Sequence, residues 1–271
     1  MIRRIKNSLI SLNHFRKFIG RDLARQAIKS DFRLIKTNEV EHGKVLVIAP
    51  HPDDDIIGCG GALVKHLKAK DQVKIVYLCD GSLGSPEGKR LSQSEKAQLV
   101  KIREVEARES AEIIGVSDLI FWRYKDGHLV LNNTSKKLMN ALLESFDPDI
   151  VYVPSFDDPN SDHAETVKIL AAALSGVKVN PQIVNYEVWQ PVFANRIVDV
   201  TAEFAKKKQA LEIHRSQLKS RNYSIAIEGL AMYRAGTYGA GGFAEAFFVC
   251  NKNLYLKVLD YSFSLLKTKV Q

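Results

Sequence analysis

Short runs of β-branched and aromatic residues alternate with longer helical patterns over most of the chain. From residue 44 onward the runs have the length of strands, and the stretches between them place apolar residues at every third or fourth position. The predicted strands are 45–50, 73–80, 118–124, 149–155, 182–189 and 245–250. The predicted helices are 60–70, 92–114, 136–146, 164–174 and 202–216.

This alternation is typical of α/β proteins, in which helices cover both faces of a parallel sheet. No internal repeat and no long linker divides the region. We therefore predict a single domain over residues 44–271, with a Rossmann-like three-layer sandwich and a mostly parallel sheet. Ligands of such folds bind at the carboxyl ends of the strands, so the loops at that edge should carry the functional residues.

Residues 1–43 have a different character. Their apolar residues follow a helical spacing with basic residues between them, and residues 1–44 contain 11 Lys/Arg against four Asp/Glu. The other residues contain 28 Lys/Arg and 27 Asp/Glu, so nearly all of the net charge of +8 belongs to this segment. We predict a basic amphipathic extension that either packs on the main domain or contacts anionic lipid as a peripheral membrane segment. Nucleic acid is the least favoured partner, because the main domain is almost neutral.

The composition is that of an ordinary globular protein, with 45% hydrophobic and 26% charged residues. No apolar run approaches the ~20 residues needed to cross a bilayer. Cys59, Cys79 and Cys250 are odd in number and far apart, so no disulfide framework is indicated. We expect a cytoplasmic protein, with peripheral contact at the inner membrane surface as the second option. The sequence carries no signal of oligomeric state.

Two clusters that combine histidine with aspartate follow predicted strands. His51 and the run 53–55 come directly after the first strand, and the segment 157–163 follows the fourth. The acidic run could simply cap the next helix. However, both clusters fall at carboxyl ends of strands, and together they offer the imidazole and carboxylate ligands of a zinc site with an open position. The residues therefore predict a metal centre, with one imidazole and one carboxylate from the first loop and a third ligand from the second.

The first cluster lies in the sequence APHPDDDIIGCGG, which resembles the defining motif of the PIG-L/LmbE-like zinc-dependent de-N-acetylases. The family usually has Glu where this chain has Asp55. Further similarities follow in order: CDGSLGS (79–85), IREVEARESAEIIGV (102–116), RYKDG (123–127), SDHAET (161–166), KKKQALEIHRSQ (206–217) and FAEAF (243–247). The resemblance runs from about residue 44 to residue 250.

The resemblance implies that His51, Asp54 and His163 bind zinc, although iron(II) accepts the same ligands. It also implies that Asp53 is the general base. Zinc lowers the pKa of a bound water toward ~7, so a neighbouring carboxylate can take its proton as the water attacks an amide carbonyl.

One departure from the family pattern concerns Asn160. Many relatives have a histidine there, which is thought to stabilise the oxyanion or act as an acid. An Asn amide can donate a hydrogen bond but no proton, so we expect Asn160 to be an oxyanion or substrate donor at most. Asp162 is expected to orient a neighbouring group. Arg103 and Asp126 are candidate contacts for sugar hydroxyls or phosphate.

These expectations describe a zinc-dependent hydrolase that removes the N-acetyl group from an N-acetylglucosamine-type amino sugar in a glycoconjugate. Two alternatives stay open. One is an amidase that acts on another glycoside conjugate. The other is a non-catalytic carbohydrate-binding protein on the same fold. Asp55 and Asn160, which depart from the family pattern, would explain the loss of catalysis in such a protein.

Overall fold

The computed structural model describes residues 33–85, 90–219 and 222–267, with side chains through residue 260. These residues form one eight-stranded sheet covered by helices. The strands are β1 (Ile35–Thr37), β2 (Lys44–Ala49), β3 (Gln72–Cys79), β4 (Asp118–Tyr124), β5 (Ile150–Pro154), β6 (Gln182–Tyr186), β7 (Arg196–Asp199) and β8 (Ala244–Asn251). The helices are α1 (Asp54–Lys68), α2 (Gln93–Ile114), α3 (Asn133–Phe146), α4 (Ser161–Leu174), α5 (Phe204–Leu211), α6 (Arg215–Leu218), α7 (Tyr223–Tyr238) and α8 (Lys252–Lys267).

The strand order is β1-β7-β8-β6-β5-β2-β3-β4. Strand β8 is antiparallel to both of its neighbours, and the other pairs are parallel. One core contains residues of α1, α2 and α5, and the other contains residues of α3, α4 and α8. Strand β2 contributes Val45 and Val47 to the first core and Leu46 and Ile48 to the second. This two-sided burial explains its unbroken apolar sequence, and the predicted three-layer sandwich is confirmed.

Two strands and two helices lie outside the sequence predictions. Strands β1 and β7 have only three and four residues, and helices α7 and α8 have no counterpart among the predicted segments. Strand β1 pairs with β7 in parallel, with Ile35 opposite Arg196. Residues 35–37, which we assigned to the N-terminal extension, are therefore part of the sheet. The amphipathic helix predicted from the first 25 residues lies outside the described part of the chain, and its role stays a prediction.

Helix α1 begins at Asp54, six residues before the predicted start, and bends at Cys59, whose φ and ψ are −140° and 16°. A bend of this kind leaves backbone N–H groups without helical acceptors. The Glu245 carboxylate of β8 accepts the N–H groups of Gly61 and Ala62, each at 2.8 Å. Lys207 of α5 donates to the same carboxylate at 2.7 Å. The bend is thus held by a buried ion pair between distant elements.

Among the helices described here, none combines the length and apolar character that a membrane span requires. The three cysteines are buried and free.

Candidate active site

The loop between β2 and α1 places the Asp54 carboxylate at the centre of the site. Its Oδ2 accepts the backbone N–H of His51 at 2.8 Å, which fixes the carboxylate in the first turn of the helix. The same oxygen lies 3.1 Å from His51 Nδ1 and 3.2 Å from His163 Nε2. Asp54 and His163 are almost fully buried. The structure therefore brings the three predicted metal ligands together, although Asp54 and His163 are 109 positions apart in the sequence.

The chemistry of these groups fits a divalent cation. One ligand atom of each of the three residues lies within 4.8 Å of the others. Among the described residues, neither ring nitrogen of the buried His163 has a partner in hydrogen-bonding geometry, even though carboxylates lie close by. Two imidazoles and one carboxylate are the ligand set of a catalytic zinc site with a position left open.

Without a metal ion, protonated histidine would have to balance this charge. Burial lowers the pKa of His163, but the carboxylates of Asp54 and Asp158 overcome this effect and raise it to about 9. The pKa of Asp54 falls well below its ordinary value, because the attraction of the two histidines exceeds the effect of its burial. Both pKa shifts indicate that the electrostatics of this pocket favour a positive charge.

A second set of possible ligands comprises His51, Cys79 and Asp162. The Asp162 carboxylate of this set already accepts two backbone hydrogen bonds, from the N–H of Gly127 at 2.7 Å and from that of Leu129 at 3.3 Å. Burial and the neighbouring carboxylates raise the pKa of the Cys79 thiol, which disfavours the thiolate that would bind a metal. The first set is therefore the better metal site.

Each candidate histidine ligand also meets a carboxylate on its far side. His51 Nε2 lies 3.2 Å from Asp162 and 3.3 Å from Asp126, and His163 Nδ1 lies 3.3 Å from Asp158. A carboxylate behind a metal-binding imidazole fixes the tautomer and the orientation of the ring. Asp162 therefore lies where it could orient the His51 ring, and that role stays a prediction. Asp126 shares that position, and its Oδ2 accepts the N–H of Leu83 at 2.9 Å.

Asp53 is next to Asp54 in sequence but its carboxylate makes other contacts. Although it precedes helix α1, it makes no capping hydrogen bond. Its Oδ1 accepts from Arg103 Nη2 at 2.9 Å, and its Oδ2 accepts from the Tyr223 hydroxyl at 2.8 Å. Burial raises the pKa of Asp53, while the Arg103 guanidinium and the Tyr223 hydroxyl act in the opposite direction. Asp53 is thus an oriented carboxylate at the wall of a cavity, and no histidine ligand pairs with it directly.

Arg103 is buried, and its other contacts are to the backbone. It donates to Gly81 O at 3.1 Å and to Pro52 O at 3.3 Å. The guanidinium that we predicted as a sugar contact therefore also ties the loops after β2 and β3 together and pairs with the candidate base. Contact with a substrate stays a prediction for both Arg103 and Asp126.

Asn160 caps helix α4, since its Oδ1 accepts the backbone N–H of Asp162 at 2.8 Å. This contact leaves the amide N–H groups as the part of the side chain that could meet a substrate. Asp55, where the family usually has Glu, faces the interior instead. It accepts from the Tyr77 hydroxyl at 3.0 Å, and burial raises the pKa of the Asp55 carboxyl to about 7.

A cavity of about 780 Å³ opens at the carboxyl ends of the strands. All but one of the predicted site residues line it, and the exception, His163, is fully buried behind its wall. The cavity is also lined by side chains that sequence reasoning did not assign to the site, among them Trp189, Gln217 and Tyr223. Gln217 ends one of the motifs that resemble the family. No local pattern marks Trp189 or Tyr223.

The PIG-L family model, described as GlcNAc-PI de-N-acetylase, matches residues 46–174. A diacetylchitobiose deacetylase of Thermococcus kodakarensis is 28% identical over 225 residues, which cover 75% of this chain and 81% of that protein.

Among solved structures, the N,N'-diacetylchitobiose deacetylase of Pyrococcus horikoshii has a TM-score of 0.67 and 26% identity, covering 78% of this chain and 85% of the other. The 4-carboxy-2-hydroxymuconate hydratase of Pseudomonas putida also has a TM-score of 0.67, with 21% identity and coverage of 77% and 96%. The hydratase shares the fold alone, so the fold by itself does not define the reaction.

Proposed function

We propose that this chain removes the acetyl group from an N-acetylglucosamine-type amino sugar within a glycoconjugate. The chain carries a PIG-L family domain over residues 46–174 and is therefore an enzyme of the N-deacetylase type. One observation carries the proposal. Asp54 lies within 3.2 Å of a nitrogen of both His51 and His163, beside a separate carboxylate on the cavity wall.

His51 Nδ1, Asp54 and His163 Nε2 would hold the metal ion. We propose zinc, with iron(II) as the alternative that the same ligands accept. The bound ion supplies Lewis acidity toward the acetamide carbonyl and toward water. Asp162 and Asp126 lie behind the His51 ring, and Asp158 lies 3.3 Å from the far nitrogen of His163.

Asp53 is the general base of the proposed reaction. Its two oxygens are oriented by Arg103 and Tyr223, so the carboxylate cannot rotate freely. It accepts the proton of the attacking water and then returns a proton to the leaving amine. Asn160 donates an amide N–H to the developing oxyanion, which requires no proton transfer. The products are acetate and a free amino sugar.

The test combines metal analysis with an acetate-release assay on the full-length protein. We expect about one zinc or iron ion per chain, and acetate released in equal amount with free amine from N-acetylglucosaminides. Bound metal without turnover on any N-acetylated sugar would favour the carbohydrate-binding alternative. Hydrolysis of a different amide, with no acetate released, would favour the amidase. A folded protein that binds neither ion would contradict the proposed mechanism.

A further inference from the structure

One wall of the cavity is an aromatic side chain that the proposed reaction does not use. Trp189 follows strand β6 and is 45% exposed. Leu83, after strand β3, is the other large apolar side chain that lines the cavity with similar exposure, at 49%. An exposed indole inside a cavity offers a flat apolar face with a polar N–H at its edge, which suits a ligand that is apolar on one face and polar at its rim.

The order of the strands places Trp189 on one side of the candidate metal site. The metal-ligand candidates follow β2 and β5, which are neighbours in the sheet. Asp126 follows β4 beyond β3, whereas Trp189 follows β6 beyond β5. Trp189 and Asp126 therefore lie on opposite sides of the reacting centre. A sugar ring held near Asp126 would direct its attached group toward Trp189.

The backbone of Trp189 is held in place relative to the metal site. Its N–H donates to Asp158 Oδ2 at 3.1 Å, and the same oxygen lies 3.3 Å from His163 Nδ1. The loop that contains Trp189 is closed by Glu187, which accepts the N–H of Val192 at 2.8 Å and pairs with Arg234. A preorganised wall of this kind loses little freedom when a ligand binds.

We propose that Trp189 is a binding platform for a second pyranose ring, the one linked to the N-acetylglucosamine that is deacetylated. This inference rests on the proposed function and names its substrate class as a disaccharide or longer glycan. A pyranose has an apolar C–H face that can stack on the indole, and Ser161, which also lines the cavity, offers a hydroxyl for its polar rim. The volume of about 780 Å³ lies in the upper part of the ~300–1,000 Å³ range of ligand cavities, which leaves room beyond one ring.

Acetate-release kinetics with N-acetylglucosamine and with N,N'-diacetylchitobiose test the proposal. Trp189→Ala should lower kcat/KM for the disaccharide by about 10- to 100-fold, mainly through KM, because truncation removes a central aromatic contact. The kcat/KM for the monosaccharide should change by less than about 2-fold, since a single ring bound at the reacting centre does not reach the platform. Trp189→Phe should restore most of the loss. Tyr233→Ala is the matched control, because Tyr233 is a 60% exposed aromatic on α7 outside the cavity wall.

Several results would overturn the assignment. An equal loss on both substrates would mean that Trp189 acts through Asp158 on the catalytic groups. An unchanged kcat/KM for the disaccharide in Trp189→Ala would show that Trp189 has no role in substrate recognition. 4-Nitrophenyl N-acetylglucosaminide serves as a third substrate. A loss of kcat/KM confined to it would assign the platform to an aromatic aglycone and reject the second sugar.

Binding separates this proposal from the proposed function. The chain contains two tryptophans, so the Trp122→Phe variant reports on Trp189 alone by fluorescence. If no substrate releases acetate, a saturable change on addition of N,N'-diacetylchitobiose to Trp122→Phe, with calorimetric binding of that sugar to the parent protein that is lost in Trp189→Ala, would still support the platform. No change with that sugar at millimolar concentration would overturn it.

Discussion

The guanidinium of Arg103 and the carboxylate of Asp53 form a buried ion pair, with Arg103 Nη2 2.9 Å from Asp53 Oδ1. Helix α2 supplies the cation, and the β2–α1 loop supplies the anion. Burial alone would favour the protonated form of Asp53, which could not act as a base. The pair lowers the pKa of this carboxyl against the effect of burial, so Arg103 would keep the proposed base ionised at lower pH.

Replacing Arg103 by Met should therefore change the pH profile of the enzyme. An adjacent Arg typically lowers a carboxyl pKa by about 1–3 units, so its removal should shift the acidic limb of kcat/KM to higher pH by at least about one unit. Arg123→Met is the control, because Arg123 pairs with Glu104 at an exposed position. An acidic limb that stays in place for Arg103→Met would show that this pair does not set the ionisation of the base.

The Asp53→Asn variant should separate catalysis from metal binding. The amide keeps the size of the side chain but cannot accept a proton, so we expect kcat to fall by about 10²- to 10⁴-fold. The metal content should stay at the level of the parent protein, because the proposed ligand atoms belong to His51, Asp54 and His163. Metal analysis and acetate release on the same preparation make the comparison. Normal turnover would show that Asp53 is not the base.

Binding of zinc to the metal-free protein should release protons. With a pKa of about 9, His163 is protonated at pH 7.5, and a metal ligand must be neutral. Calorimetric titration in two buffers of different ionisation enthalpy should show release of about one proton or more per ion at pH 7.5, and less at pH 9. His163→Ala should weaken binding strongly. Tight binding with no proton release at pH 7.5 would contradict the assignment of His163.

The sequence predicted the parts of the site that local patterns define. Strands β2 and β5 are continuous apolar runs, and the loops and first helical turns that follow them contain His51, Asp54 and His163. Because the two strands are neighbours in the parallel sheet, these loops meet. The same reasoning could not find Tyr223, which lies 170 residues from Asp53 in sequence and has no neighbouring motif.

There are also physical reasons why some helices and strands were not predicted from the sequence. Strands β1 and β7 are too short for a periodic pattern and are defined by pairing with each other and with β8. Helix α7 leaves Ile225, Met232 and Tyr233 exposed and contains two glycines, so its apolar residues do not form one clear stripe. Its first residue, Tyr223, supplies a hydroxyl to the candidate base. Tyr223, one of the site residues that were missed, therefore belongs to a helix that was also missed.

The Glu245→Ala variant should be strongly destabilised. Its carboxylate holds Lys207 at 2.7 Å and caps the two N–H groups released by the bend in α1. Removing one partner of a buried pair leaves the other charge uncompensated, at a cost of about 3–5 kcal/mol. Urea unfolding measures this loss. Glu228→Ala, which breaks a partly exposed pair with Lys208, should cost at most about 1 kcal/mol. Equal losses for the two variants would contradict this role of Glu245.

His214 should make the protein less stable as the pH falls. It is buried between α5 and α6, and neither ring nitrogen has a hydrogen-bond partner among the described residues. Burial and the charge of Arg103 lower the pKa of His214 to about 3, while an unfolded histidine has a pKa of about 6.5. Below pH 6.5 the unfolded state binds the proton and the folded state does not, so stability falls by about 1.4 kcal/mol per pH unit.

The His214→Phe variant removes this proton-linked loss while keeping a ring of similar size. Between pH 7 and pH 5 the parent protein should therefore lose roughly 2 kcal/mol more of its free energy of unfolding than the variant does. Other groups titrate equally in both proteins and cancel in the comparison. His128→Phe, at an exposed position, should behave like the parent. If the parent and His214→Phe lose the same stability over this interval, His214 is not held in its neutral form by the fold.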